Sequence, residues 1–508
     1  MTIDPSDVTP RLEAEIARRA LDYLLTPPHE PHDVVHLASP EALLADFESS
    51  VGLSLAGTTL PAPDDLLLAA VDLIIDRSVH TSHPRFLNQN FAGPDPIAVA
   101  GDWLGAALNT TGATFEAAPV FTLMEGAVLS ELARLAGYVD DDGERVPVLP
   151  PGMFCPGGST ATLYALQLAR HRIRPDVVTA GATGERLTLF VSSAGHYAAR
   201  KSAALLGLGT DAVIEVDADA DGAIVPSALD RAVRASIATG ATPFAVIGTS
   251  GTTVTSAFDD LTALADICEV HDLWLHVDGC YGGSALFSER ERHRLRGVER
   301  SDSFVWNLHK MMGMTQQCTA LLVRDPSLLA PCFAGHADYL FQPDKLHAEY
   351  DSGDRTFQCA RRIDVLKLWL AWKHHGDAGF AARIDRSVAL ADHTRRRLAA
   401  AGGAFAPVVA GTFTNTVFAW VPPELRPLRL DPTHLDALPP KVHATLHALP
   451  PRIKARMQAE GTAMVGFQPI AGLNTFRMLF MNPNVTEGDI DVVLDLIEQY
   501  GRDTTDGG

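Results

Sequence analysis

The chain has 508 residues, of which 46% are hydrophobic and 20% charged, so it is composed like an ordinary folded protein with no overall disorder signature. Its 62 acidic residues outnumber 41 basic ones and leave a net charge of −21, which argues against nucleic acid or an anionic membrane as a main partner. Six scattered cysteines form no C-x-x-C pair, which excludes a disulfide framework or a zinc ribbon and points to a reducing compartment. The start, MTIDPSDVTPRLEAE, is polar and acidic without a signal-peptide pattern, and no run of roughly 18 uncharged apolar residues occurs. The expectation is a cytoplasmic protein.

Residues 1–80 read as helices separated by prolines: RLEAEIARRALDYLL, PEALLADFESSV and PDDLLLAAVDLIIDRSV. This segment is short for a domain and is expected to pack on a neighbour or partner chain. From 81 to 372 apolar runs rich in β-formers alternate with helical stretches. RLTLFVSS, FAVIGTS, LWLHVDG, SFVWNLH and TALLVRD read as strands, and STATLYALQLARHR and LTALADICEVH as helices. That alternation predicts an α/β fold with a mostly parallel sheet, helices on both faces, and ligands bound beyond the carboxyl ends of the strands. Residues 373–508 suggest a smaller α+β domain built from VALADHTRRRLAAA, NTVFAWVPP, PPRIKARMQAEG, TFRMLFMNP and TEGDIDVVLDLIEQYG, with 422–450 as an irregular excursion.

Several polar groups fall at strand ends. FCPGGSTATLYALQLAR puts Gly157, Gly158 and Ser159 directly before a helix, where free N–H groups and the helix dipole favour a phosphate; Gly-Gly-Ser can equally be a simple turn and cap. LWLHVDGCYGG delivers Asp278 to a strand end, and His276, Asp278 and Cys280 alternate onto one face as metal ligands could, although thiol beside carboxylate mixes soft and hard donors. His196 follows one strand and Thr249 another, while GLG at 207–209 reads as a helix cap. SFVWNLHKMMGM ends an apolar strand on His309 and Lys310. Lys310 either snorkels to solvent or is a nucleophile. An anion cradle, a carboxylate, a histidine and a lysine at the ends of one parallel sheet suit an aldehyde cofactor with a phosphate and a basic ring nitrogen, which is pyridoxal phosphate.

HPRFLNQ, TFEAAPVFTLME, PGGS, GHYAARKSA, HVDGCYGG, NLHKMMG, YLFQPDK, YDSGDRTFQCAR and FRMLFMNP together resemble the group II pyridoxal-phosphate amino-acid decarboxylases. The similarity spans roughly residues 80–500 and is greatest to the glutamate, cysteine sulfinate and aspartate 1-decarboxylases. It implies an aspartate-aminotransferase-like fold of type I with a seven-stranded sheet, and a homodimer with active sites at the interface. It also implies that Lys310 bonds the cofactor aldehyde, Asp278 pairs with its ring nitrogen and His196 stacks on the ring. Thr249 would approach the ring hydroxyl, Gly158, Ser159 and His309 would serve the phosphate, and Cys280 and Asn307 would lie beside the cofactor. Tyr339 matches the tyrosine of a mobile loop that protonates the carbanionic carbon, and Gln89 and Arg477 match holders of substrate carboxylates.

The expected activity is decarboxylation of an acidic amino acid to an amine, with no metal. The alternatives are another amino-acid substrate, or a transamination or oxidative outcome. Gly279 and Cys280 replace common alanines, Leu308 replaces a common proline, and Gly112 and Ala113 stand where larger residues, often aromatic, occur in relatives. These last two positions imply an enlarged substrate pocket.

Overall fold

The computed structural model describes residues 11–506 apart from 27–29, 31, 50, 57–60, 141–145, 183, 338 and 412. Twelve strands are named in chain order: β1 Phe86–Leu87, β2 Gly152–Cys155, β3 Leu187–Ser192, β4 Val213–Val216, β5 Thr242–Thr249, β6 Trp274–Asp278, β7 Ser303–Asn307, β8 Thr319–Val323, β9 Phe405–Pro407, β10 Asn415–Trp420, β11 Met464–Ile470 and β12 Leu473–Leu479. The five runs read as strands from sequence are β3, β5, β6, β7 and β8. The two internal helices form over Gly158–Ile173 and Leu261–His271.

β2 to β8 build one seven-stranded sheet in the order β2-β8-β7-β6-β5-β3-β4. The pairs β3/β4, β3/β5, β5/β6 and β6/β7 are parallel, while β8 runs antiparallel to both neighbours. The strands are apolar on both faces because both faces are covered, as a parallel sheet requires. Phe190, Val246, Leu275, Phe304 and Trp306 join one core cluster, and their strand neighbours Leu189, Val191, Ala245, Ile247 and Val305 join another. β4 and β5 lie on opposite sides of β3, so the strand order reverses there and leaves a crevice at the carboxyl ends.

The second sheet, β1-β11-β12-β10-β9, is antiparallel except that β1 pairs in parallel with β11 from far upstream. The helix Val365–Ala400 links the two regions and breaks at Gly376, whose φ of 65° is not helical. The expected irregular stretch 422–450 differs in its last part, because a helix starts at Pro440 and runs to Ala459. Pro440 sits where a helix has no N–H to lose, and the buried stripe Leu446, Leu449, Pro450, Ile453 and Met457 outweighs the cost of Pro450 and Pro451 inside it. The first helix, Leu12–Leu25, buries none of its residues. Among the described residues no helix is long and apolar enough to cross a membrane.

A buried ionic cluster braces the turn that follows β7. Lys367, 1% exposed at its side chain, lies 3.1 Å from Asp102 and 3.2 Å from Asp364 and donates to the Thr315 carbonyl at 3.3 Å. At the start of the helix that carries Asp102, Asp95 accepts from His375 at 2.7 Å while its N–H donates to Gly313 O. Removing one partner of such a cluster strands the others in a place water reaches poorly. We expect Lys367→Ala to lower the unfolding free energy by about 3–5 kcal/mol, read from urea unfolding. A loss below about 1 kcal/mol would show that the cluster does not hold the turn.

Candidate active site

Four connections at the carboxyl edge of the large sheet converge on one cavity of about 150 Å3. β2 leads through Gly157 into the helix Gly158–Ile173, β5 ends in Thr249, β6 in Asp278, and β7 turns at Asn307 to present Lys310. The Lys310 N–H donates to Asn307 O at 3.1 Å, so the lysine lies in a turn just past the strand, half-buried and on the cavity wall. His196 comes from the turn after β3, where its Nδ1 accepts from the Ala198 N–H at 3.2 Å. Thus Gly158, Ser159, His196, Thr249, Asp278, Cys280, Asn307 and Lys310 all line the same space.

The charges in this space are linked. Burial alone would raise Asp278, but the Lys310 ammonium, the Cys280 thiol and His196 together hold its carboxyl below the usual carboxylate range. The Cys280 N–H adds a bond to Asp278 Oδ1 at 3.0 Å. Burial pulls His196 down despite the attraction of Asp278, so its ring is neutral near pH 7. Burial and then the Asp278 charge push the Cys280 thiol well up, which makes it an inert neighbour rather than a thiolate. The Thr249 hydroxyl is buried with no partner. A neutral aromatic face, an ionised carboxylate, an unsatisfied hydroxyl and a lysine fit a flat, basic, phosphorylated aldehyde.

The phosphate end fits as well. The N-terminus of the helix Gly158–Ile173 carries no side-chain cap and opens on the cavity. A Cβ at Gly158 would lie 2.3 Å from Cys280 Sγ, so the helix start approaches the thiol as only glycine can. The replacement of alanine by Gly279 has a similar cause, since a Cβ there would lie 2.1 Å from the Phe304 ring. The Leu308 position is filled by a fully buried side chain of the core.

Other expected residues lie elsewhere. His309 does not line the cavity: its Nδ1 faces Cys318, 2.9 Å from the carbonyl and 3.1 Å from the N–H, and burial lowers it to about 4. His276 is fully buried beneath the site with Nδ1 on Ser303 Oγ at 2.9 Å. Tyr339 is 80% exposed and outside the cavity. Gly112 and Ala113 are buried in a loop pinned by Arg361 O, Ser352 and Gly353 and do not line the cavity. Arg477 stands on β12 at the cavity's flank and donates to the carbonyls of Thr253, a wall residue, at 2.8 Å and of Asn88 at 2.9 Å. Gln89, the next residue, is exposed.

Sequence reasoning missed three contributors. Tyr281 lines the cavity and donates its hydroxyl to Asn415 Oδ1 at 2.7 Å, which ties the large sheet to β10. Asp259 accepts the Thr249 N–H at 2.6 Å and the Ile224 N–H at 2.7 Å and so fixes the end of β5; burial raises it to about 7. Lys454 bonds Asn88 Oδ1 at 2.7 Å. Tyr281 stood within a quoted motif, whereas Asp259 in SAFDDL reads as a helix cap and Lys454 as a solvated helix residue.

Fold and cavity define a pyridoxal-phosphate enzyme of fold type I. Residues 56–420 match the pyridoxal-dependent decarboxylase conserved domain. Human cysteine sulfinic acid decarboxylase is 44% identical over 434 residues, 85% of this chain and 84% of the relative. Acidic amino acid decarboxylase GADL1 of Bos taurus is 41% identical over 445 residues, 87% and 82% of the two chains. The crystal structure of mouse CSAD superposes with a TM-score of 0.89 at 39% identity, covering 97% of this chain and 98% of that one. The chain belongs to the pyridoxal-dependent decarboxylase family and is a pyridoxal-phosphate-dependent amino-acid carboxy-lyase.

The Gly158 contact generates a test. Gly158→Ala forces the new methyl against Cys280 and Asn307, so we expect cofactor affinity to fall at least about tenfold, measured by the visible absorbance retained on dialysis. Adding Cys280→Ala should restore part of it. Undiminished affinity in Gly158→Ala would remove the helix start from the cofactor site.

Proposed function

We propose that this decarboxylase acts on an acidic α-amino acid. The observation that carries the reading is Arg477, a guanidinium 5% exposed at the flank of the cavity, whose Nε is buried without a partner. Burial lowers it to about 10, and no carboxylate bonds it among the described residues. A cation held so waits for an anion. The names of the cysteine sulfinic acid and acidic amino acid decarboxylases support the same choice.

In this reading Lys310 would bond the cofactor aldehyde, and Gly158 and Ser159 would offer N–H groups to its phosphate, with His309 buttressing the turn behind. Thr249 would serve the ring hydroxyl, His196 the ring face, and Asn307 and Cys280 would lie beside the cofactor. When bound, the cofactor supplies an electron sink for the pair left by departing carbon dioxide. Asp278 keeps the ring nitrogen protonated. Its depressed pKa means this charge is complete above its ordinary value near 3.8 and fades only as pH falls below it. Neutral His196 offers a flat face without adding a competing positive charge. Arg477 and Gln89 orient the substrate, and Tyr339 delivers the proton to the α-carbon.

Tyr339 performs that role only if its loop reaches a site other than the cavity of its own chain. We therefore propose a homodimer with active sites at the interface. Support comes from the helix Leu12–Leu25, none of whose residues is fully buried in its own chain, and from Trp103, Leu104, Leu108 and Val120, all more than two-fifths exposed. Gly112 and Ala113, buried in their own chain, bear on the pocket through the small volume they take in the loop that Arg361, Ser352 and Gly353 pin, and in this reading that leaves the substrate pocket enlarged. The division into a helical segment 1–80, a cofactor domain 81–372 and a small domain 373–508 is part of the proposal, supported by the two sheets and the break at Gly376. Six unpaired cysteines, five of them buried, support a cytoplasmic location.

Screening amino acids with mass detection of products tests the substrate. We expect amine formation from glutamate, cysteine sulfinate or a longer acidic homologue, and a clear preference for aspartate would contradict the enlarged pocket. Tyr339→Phe should cut amine yield by about a hundredfold or more while carbonyl by-product persists. Unchanged amine yield would remove Tyr339 from its role. Arg477→Ala should abolish saturation by acidic substrate with the cofactor retained; loss of the cofactor instead would place Arg477 in the cofactor site.

A further inference from the structure

Three largely buried cations among the described residues come with carboxylates. Lys367 has Asp102 and Asp364, Arg361 has Glu125, and Arg383 has Asp95. Arg477 at the cavity's flank and the part-buried Lys454, joined to it through Asn88, have no such partner among the described residues. Arg477 is held by the carbonyls of Thr253 and Asn88, and Lys454, on the helix Pro440–Ala459, by Asn88 Oδ1. Asn88 therefore holds one cation with its backbone and the other with its side chain. The Lys454 ammonium also stands 5.7 Å from the centre of the Phe467 ring. All these acceptors are neutral, and no ion pair among the described residues reaches either cation.

The electrostatics agree with the geometry. Burial lowers Lys454, and the Arg477 charge lowers it further, with no carboxylate opposing. For Arg477 burial is again the main cause, opposed only by Tyr281. Two like charges beside one another, partly dehydrated, destabilise the empty protein. A ligand carrying two negative groups reverses that effect, one group for each cation, whereas a ligand with one negative group leaves a cation unanswered.

We propose that Lys454 is a second anion-binding residue that, with Arg477, selects amino acids bearing an anionic side chain. The inference rests on reading Arg477 as a substrate residue and extends it to a specific pair. It assigns the substrate class to a charge count: two cations for two anionic groups. Discrimination then comes from the penalty on neutral side chains, which would leave the Lys454 ammonium facing an apolar group.

Calorimetric titration of the holoenzyme with glutarate, a dicarboxylate, and with butyrate, its monocarboxylate counterpart, tests the pair. In wild type we expect glutarate to bind more tightly than butyrate. In Lys454→Gln glutarate affinity should drop roughly tenfold to a hundredfold, the loss of one charged hydrogen bond, while butyrate changes less than about threefold. Visible absorbance of the bound cofactor should stay unchanged, and Lys454→Arg should recover most of the loss. Turnover of the acidic substrate should suffer mainly through KM. Equal glutarate affinity in wild type and Lys454→Gln, or equal loss of both ligands, would overturn the role of Lys454 while leaving Arg477 and the acidic-substrate reading standing. A wild type that neither binds glutarate nor decarboxylates any acidic amino acid would overturn that reading and the inference together.

Discussion

Everything around the cavity answers to one carboxylate. Asp278 stands at the end of β6, enclosed by protein except toward the cavity, and an ionised group there is tolerable only with cationic or donor partners. The Lys310 charge and the Cys280 donors supply them and hold the acid ionised against the cost of burial. The same grouping leaves His196 neutral and the Cys280 thiol protonated. One negative group, one lysine and an uncharged aromatic face are the minimum that a basic ring and an aldehyde need. The parallel sheet brings them together because β3, β5, β6 and β7 all point their carboxyl ends to the same edge.

That edge was legible in the sequence because fully buried parallel strands are near-continuous apolar runs. LWLHVDG and SFVWNLH are such runs, and their strands end on Asp278 and Asn307, both of which line the cavity. The helix LTALADICEVH was equally plain, since Asp260 caps it and its apolar residues recur at helical spacing. Harder to read was anything decided by tertiary packing. The helix Pro440–Ala459 carries two internal prolines, and only its buried stripe against the small sheet makes it continuous. β1 is two residues long and finds its partner almost 400 positions downstream, a distance no local pattern encodes.

The site divides along the same line. Lys310, Asp278, His196 and Gly158 announced themselves by lying where strands end or helices begin. Lys454 did not, because a lysine on an amphipathic helix is ordinarily solvated, and its significance appears only beside Arg477 and Asn88. Tyr339, Gly112 and Ala113 do not line the cavity of their own chain, and no strand end or helix start marks them in the sequence. The overall charge of −21 also proves a poor guide to the ligand, since the local field at Arg477 and Lys454 is positive.

The central claim is that Lys310 is the cofactor's covalent anchor. Its most direct measurement is borohydride reduction of the purified yellow protein followed by peptide mass mapping. The account predicts one reduced pyridoxyl adduct, on the peptide containing Lys310, and no adduct in Lys310→Ala. An adduct on a different lysine, or a protein that takes up no pyridoxal phosphate, would contradict it.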